Sequence, residues 1–271
     1  VTTIGNSAFQ SCSKLTSVVM GNNVETIGDF AFENCQNLTS VVISDSVTSI
    51  GNSAFDYCRK LASVEIGSGV TTIGDNAFSY CSSLTSITVD EDNVAYQTID
   101  GSLYSKDGKT LIKYAQGKTA TSFTIPDGVT TIGDAAFARC RNLTSVVIPE
   151  SVKTIGDRAF NSCGLTSVEI GNGVTTIGEY AFASCSITSV VIGDGVTSIG
   201  NSAFNDSSLT SIIVSEENTE YRSIDGNLYT KDGTTLIQYA KGKTATSFTV
   251  PEGVTTIGNS AFQSCSKLTS V

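Results

Sequence analysis

The chain has 271 residues and a formal net charge of −10. Binding to nucleic-acid phosphates needs clustered Lys and Arg, so this charge argues against nucleic acid as the main partner, and a membrane-surface role is equally poorly supported. Hydrophobic residues make up 39% of the chain and charged residues only 15%, which favours buried apolar surface over disorder. No apolar run approaches the ~20 residues of a membrane-spanning helix, so we expect no direct membrane insertion in this segment.

One 23-residue pattern organises the chain: V-x-x-I-G-x-x-A-F-x-x-C-x-x-L-T-S-V-x-I followed by a turn, as from Val47 to Gly69. The residues that open successive strands recur at steps of 22 or 23, with two steps of 36. A fixed period of this size predicts a repeat solenoid in which each coil packs only on its neighbours. The eleven strand starts are Leu15, Leu38, Leu61, Leu84, Ala120, Leu143, Leu165, Ile187, Leu209, Ala245 and Leu268.

Each coil is predicted to be mainly β. The alternation in L-T-S-V-x-I predicts a short strand, and stacked coils then form a parallel sheet with a strand spacing of about 4.8 Å. The V-x-x-I segment predicts a second short strand. The Gly that follows it, such as Gly51, indicates a backbone position that needs positive φ or a close approach. A-F-x-x-C predicts a short helical or 3₁₀ turn on the other side, with Ala54, Phe55 and Cys58 facing inward.

Two longer coils contain inserts at residues 90–118 and 215–243. Each insert has two Asp-Gly pairs between alternating apolar residues, which predicts a β-hairpin excursion. The tyrosines of the inserts either pack the hairpins onto the solenoid or form a contact patch for carbohydrate or protein. The acidic openings, residues 90–93 and 216–218, are either solvated turns or calcium sites. The insert tyrosines are Tyr96, Tyr104, Tyr114, Tyr221, Tyr229 and Tyr239.

The sequence also contains a second repeat, with a period much longer than one coil. Residues 254–271 are identical to residues 1–18, and the identity includes solvent-facing positions such as Gln10 and Gln263. Core packing does not demand identity at such positions, so the match indicates tandem duplication. We therefore expect residues 1–271 to form a single solenoid that is a window of a longer array.

The coil signature I-G-x-x-A-F-x-x-C-x-x-L-x-x-V-x-I and the insert motif of Tyr96 to Tyr114 resemble those of BspA-like leucine-rich repeat proteins. The pattern departs from the commonest leucine-rich repeat, because the ladder-forming asparagine position holds Asn23, Ser46 or Gly69. The resemblance implies a leucine-rich repeat fold at the cell surface, in an extracellular protein that binds host matrix or other cells. The resemblance assigns no functional residue in this chain, because the family motif consists of structural positions.

The composition excludes the common catalytic arrangements that need histidine. The chain has no His, which excludes Ser-His and Cys-His pairs and imidazole metal sites, and we expect neither enzymatic activity nor a cofactor. All the cysteines share one repeat position, which predicts a buried column of reduced thiols, with disulfides between adjacent coils or a metal site as alternatives. The column is interrupted at Asp206 or Ser207. The eight cysteines are Cys12, Cys35, Cys58, Cys81, Cys140, Cys163, Cys185 and Cys265.

The outward strand positions are nearly uniform, with Ser at one and Val, Glu, Thr or Ile at the other. A small, flat and partly apolar face suits low-specificity adhesion or lateral association. The sequence therefore predicts a non-catalytic surface protein that binds a protein or cell-surface ligand, or alternatively a structural protein that assembles with itself into filaments or layers. The candidate interaction face consists of Ser40, Val42, Ser63, Glu65, Ser145, Val147, Ser167, Glu169, Ser189 and Val191.

Overall fold

The computed structural model describes residues 1–205 and 208–271, so the expected break in the cysteine column at Asp206 or Ser207 lies outside the described residues. The chain divides into two compact units. Unit 1 comprises residues 1–119 and 134–137, and unit 2 comprises residues 120–133 and 138–271. The regular structure of the described residues is entirely β, and these residues contain no helix that could cross a membrane.

Unit 1 contains eleven short strands, each of two to four residues, as expected for coils that turn several times within one repeat. They are β1 (Thr3–Ile4), β2 (Ser17–Val19), β3 (Thr26–Ile27), β4 (Ser40–Ile43), β5 (Ser49–Ile50), β6 (Ser63–Ile66), β7 (Thr72–Ile73), β8 (Ser86–Val89), β9 (Tyr96–Ile99), β10 (Ser102–Ser105) and β11 (Thr110–Lys113).

Unit 2 repeats this arrangement and ends with the second insert and one further coil. Its strands are β12 (Ser122–Thr124), β13 (Thr131–Ile132), β14 (Ser145–Val147), β15 (Thr154–Ile155), β16 (Ser167–Ile170), β17 (Thr176–Ile177), β18 (Ser189–Ile192), β19 (Ser198–Ile199), β20 (Ser211–Val214), β21 (Tyr221–Ile224), β22 (Asn227–Thr230), β23 (Thr235–Gln238) and β24 (Thr256–Ile257).

The predicted parallel sheets are confirmed in both units. In unit 1, β2-β4-β6-β8 form one parallel sheet and β1-β3-β5-β7 form a second. In unit 2, β16-β18-β20 and β13-β15-β17-β19 form the corresponding sheets, and β12 pairs with β14. The inserts are antiparallel, as predicted: β9-β10-β11 in unit 1 and β21-β22-β23 in unit 2.

The core of each unit is made of columns of identical side chains. Phe32, Phe55 and Phe78 are buried and stack with ring centroids 5.2 and 5.6 Å apart. Phe160 and Phe182 stack in the same way at 5.1 Å in unit 2. Each coil places the same residue type next to its copy in the neighbouring coil, and these copies form a column. A single coil therefore cannot bury its apolar side without its neighbours.

The A-F-x-x-C segment differs from the predicted helical or 3₁₀ turn. Among the described residues it is a run of tight turns, in which Ser53 and Tyr57 have φ of 51° and 57°. The N–H groups of Ser53, Phe55 and Tyr57 donate to carbonyls of the next coil at 2.8–3.1 Å. A helix would direct these donors along its own axis, whereas the left-handed residues turn every second donor towards the neighbouring coil.

The recurrent glycine is explained by close approach of the backbone. A Cβ placed on Gly51 would lie 2.5 Å from both the Asp29 nitrogen and the Gly28 carbonyl carbon. Gly51 itself does not have a positive φ; that conformation falls two residues later, on Ser53. Of the two reasons that the sequence suggested, the structure therefore supports close packing of successive coils.

A side-chain ladder is present, although not at the position usual for leucine-rich repeats. The residue after the recurrent glycine accepts a hydrogen bond from the backbone of the next coil: Asp29 N donates to Asn6 Oδ1 at 2.9 Å, and Asn52 N donates to Asp29 Oδ1 at 2.7 Å. Asp157 accepts from Glu179 N at 2.7 Å in unit 2. These carboxylates and amides stabilise coil stacking.

Candidate functional site: the outward strand rows and the inserts

The candidate interaction face of unit 1 is a regular surface on β4 and β6. The strand register places Ser40 beside Ser63 and Val42 beside Glu65. Val42 is 54% exposed although it lies in the middle of a strand, because alternate strand residues point away from the core. The two rows therefore run straight across the sheet at one strand spacing.

Unit 2 carries the same surface on β14, β16 and β18. The register aligns Ser167 with Ser189 and Glu169 with Val191. Ser145 is exposed on β14, and Val147 on the same strand is 55% exposed. Each unit thus presents outward apolar residues next to one outward glutamate.

The inserts end both parallel sheets of the preceding coils. In unit 1, Ile87 N donates to Gly101 O at 2.9 Å, and Val89 N donates to Thr98 Oγ1 at 2.8 Å, so the edge of β8 is satisfied. Tyr96 OH accepts from Ile73 N at 3.1 Å at the edge of β7. The insert therefore replaces the missing neighbour strand on both sheets.

The second insert repeats this arrangement in unit 2. Ile212 N donates to Gly226 O at 2.9 Å, Ser223 Oγ donates to Ile212 O, and Tyr221 OH accepts from Ile199 N at 3.1 Å. Exposed strand edges can pair with other chains, and the second insert prevents this at the edges of β19 and β20.

Most of the insert tyrosines are inside the protein. Tyr104, Tyr114, Tyr229 and Tyr239 are all buried. Tyr114 continues the aromatic column by stacking on Phe137 at 5.1 Å, and burial raises the pKa of Tyr104 to about 12. These four rings offer no surface to a partner, so they belong to the packing of the hairpins onto the coils. Tyr96 and Tyr221 are half-buried and hold the sheet edges.

The acidic openings are organised by a buried asparagine. Asn93 Nδ2 donates to Gly67 O and Val70 O, both at 2.9 Å, while Asn93 Oδ1 accepts from the backbone N–H groups of Ala95 and Tyr96. Asn218 makes the corresponding contacts in unit 2. Because the Asn93 amide already makes four hydrogen bonds to backbone groups, Asn93 is not positioned as a calcium ligand. Nowhere in the described ranges do three His, Cys, Asp or Glu side chains converge as a metal site would require.

The cysteines form hydrogen-bonded columns. The Cys58 thiol donates to Phe32 O and the Cys81 thiol donates to Phe55 O, both at 3.2 Å. In unit 2, the Cys185 thiol donates to Phe160 O at 3.0 Å. Burial raises the pKa of Cys81 to about 12 and that of Cys185 to about 11. Protonated, buried thiols are poor nucleophiles, so these columns are structural.

Thiol titration checks this assignment. At pH 8 the native protein should react rapidly with a disulfide reagent only at the exposed Cys12, and more slowly at the half-buried Cys265, because the other six thiols are buried. All eight thiols should react in denaturant without reductant. A lower count in denaturant would mean that disulfides join adjacent coils.

Comparison with known proteins gives the family. A family model described as the BspA type leucine-rich repeat region matches six copies, over residues 2–109, 109–230 and 238–271. No curated protein sequence matches the chain.

Several solved structures share the fold. A leucine-rich cell-surface protein from Faecalibacterium prausnitzii is 30% identical, with a TM-score of 0.64 over 100% of this chain and 72% of that one. A leucine-rich repeat protein from Eubacterium ventriosum is 23% identical, with a TM-score of 0.65 over 96% of this chain and 79% of that one. The pneumococcal vaccine antigen PcpA is 20% identical, with a TM-score of 0.59 over 100% and 75%. The last two likenesses show the fold alone.

Proposed function

Because the chain belongs to the BspA-type leucine-rich repeat family, we propose that it is a non-catalytic, extracellular surface protein that binds a protein or another cell-surface ligand through its outward strand rows. The observation that carries the proposal is the pair of exposed rows on β4–β6 and on β14–β16–β18, with apolar residues beside a glutamate. The similarity to a protein named as a cell-surface protein supports the location.

The side chains of the outward rows are the part of each unit that coil stacking does not use. The core columns, the side-chain ladder, the thiols and the insert tyrosines all contribute to coil stacking. The outward rows contribute little to it, and Val42 and Val147 still place branched apolar side chains in solvent. Exposed apolar residues arranged in a contiguous patch are typical of interaction surfaces.

An adhesion assay tests the proposal. Beads coated with the chain are allowed to settle on matrix deposited by cultured epithelial cells, and their retention under flow is measured. The double variant Val42→Asp, Val147→Asp should lose retention about tenfold, because the loss of an interface anchor costs more than about 1 kcal/mol. Val94→Asp is the matched control, since Val94 is 75% exposed in the first insert and lies outside the rows.

Val94→Asp should keep the melting temperature of the parent, because Val94 is exposed. The double variant should lower the melting temperature slightly, because Val42→Asp places a second carboxylate beside Glu65 on the paired strand. The proposal would be contradicted if the double variant kept the retention of the parent. It would also be contradicted if retention fell equally in the double variant and in Val94→Asp, because added negative charge, and not the outward rows, would then decide adhesion.

Self-assembly is the competing use of the same surface. The exposed apolar positions Val42, Val147 and Ile213 favour it, because flat apolar strips can pair laterally. Negative-stain microscopy of the purified chain separates the two uses: ordered filaments or layers that vanish in the double variant favour assembly, while single particles favour adhesion.

A further inference from the structure

A groove of about 770 Å³ crosses the ends of β2, β4, β6 and β8 in unit 1. Its floor is an outward row of four side chains on four adjacent strands, which the parallel register aligns. The floor residues are Val19, Val42, Glu65 and Thr88.

The groove combines apolar and acidic groups. Its acidic residues are Asp45, Glu65 and Asp90, and its lining among the described residues includes neither Lys nor Arg. The Asp45 carboxylate is oriented by a hydrogen bond from Ser68 N at 2.8 Å, and the Asp90 carboxylate by one from Asp92 N at 2.9 Å. A cationic group that enters this groove therefore meets three carboxylates and no competing positive charge.

Glu65 is the central feature of the groove. It accepts no hydrogen bond and forms no ion pair with any described residue, and it stands between Val42 and Thr88 in the row. The fold does not require a carboxylate at this strand position, because neighbouring coils carry Val or Thr there. Glu65 thus supplies a charge that the coil itself does not use.

We propose that this groove binds an extended polypeptide segment that carries one Lys or Arg between small apolar side chains. The inference rests on the proposed function and names the chemistry of its partner. Four strands at about 4.8 Å span about 14 Å, which matches about four residues of extended chain. Alternate residues of an extended chain face one side about 6.6 Å apart, and adjacent strands lie about 4.8 Å apart. With the cation at Glu65, the side chains two positions away therefore reach the outer edges of Val42 and Thr88.

The test uses a blocked pentapeptide, Val-Ser-Lys-Ser-Val, titrated into the ¹⁵N-labelled chain. The amide resonances of β4, β6 and β8 should shift, and the affinity should fall as salt is added, because screening weakens the charge pair. Glu65→Gln should weaken binding about threefold, as expected for the loss of a solvent-exposed ion pair. The control Glu25→Gln removes the same charge from an exposed glutamate of unit 1 that lies outside the groove, and it should leave the affinity unchanged.

Three results would overturn the inference: equal affinity for Val-Ser-Glu-Ser-Val, equal affinity of Glu65→Gln and the parent, or resonance shifts that map away from the groove. The two proposals fail separately. If the peptide does not bind but adhesion depends on Val42 and Val147, only the groove chemistry is wrong. If the peptide binds but adhesion is unchanged in that double variant, only the proposed function is wrong.

Discussion

Replacing Phe55 with alanine should lower the free energy of unfolding by about 3–5 kcal/mol, the cost of truncating a large buried aromatic residue. Phe55 is fully buried and stacks between Phe32 and Phe78. The truncation would leave a cavity inside the column and remove two ring contacts. Because coils are stabilised by their neighbours, the loss should spread to the coils above and below.

Urea unfolding followed by circular dichroism measures this effect. Phe30→Ala is the matched control, because Phe30 is an exposed phenylalanine in the adjacent coil and its truncation should cost less than about 1 kcal/mol. A loss below about 1 kcal/mol for Phe55→Ala would contradict the assignment of this residue to the core column.

Replacing Asn93 with alanine should cost a comparable amount, on the order of 4 kcal/mol. The substitution leaves Gly67 O and Val70 O without their donor and the N–H groups of Ala95 and Tyr96 without their acceptor. Asn93 is fully buried, so water does not readily replace these partners, and each unsatisfied group costs about 1–3 kcal/mol before the structure relaxes.

Asn93→Val is the informative companion variant. Valine fits the apolar column, since Val70 occupies the same position one coil earlier, but it restores none of the four hydrogen bonds. If hydrogen bonding dominates, Asn93→Val should be nearly as unstable as Asn93→Ala. Asn23→Ala, at an exposed asparagine, should leave the urea midpoint unchanged. Parent-like stability of both Asn93 variants would show that the amide does not hold the insert.

The sequence was sufficient for the columns and for the two inserts, because a period of 22 or 23 residues repeats each inward position in register. The turn side was predicted incorrectly. Serine, tyrosine and arginine residues such as Ser53, Tyr57 and Arg158 adopt a left-handed conformation there, and none of these residue types signals it in a sequence. Stacking between coils imposes that conformation, which is a tertiary effect.

The sequence predicted some of the side-chain directions at the candidate site. Strand alternation correctly pointed Val42 and Val147 outward, because side-chain direction follows from local geometry. The tyrosines were harder to place, since a motif alone cannot tell whether Tyr104 lies inside or outside a hairpin. The side-chain ladder after the recurrent glycine had a visible signal, namely Asn or Asp in most coils, as at Asn6, Asp29 and Asn52.

We propose that the outward rows, and not the inserts, contact the partner. Site-specific photocrosslinking distinguishes the two surfaces: benzoylphenylalanine is placed at position 42, 147 or 94, and the crosslink yield to epithelial-cell matrix is measured. We expect high yields from positions 42 and 147 and a background yield from position 94. A yield from position 94 that equals or exceeds the other two would contradict the proposal.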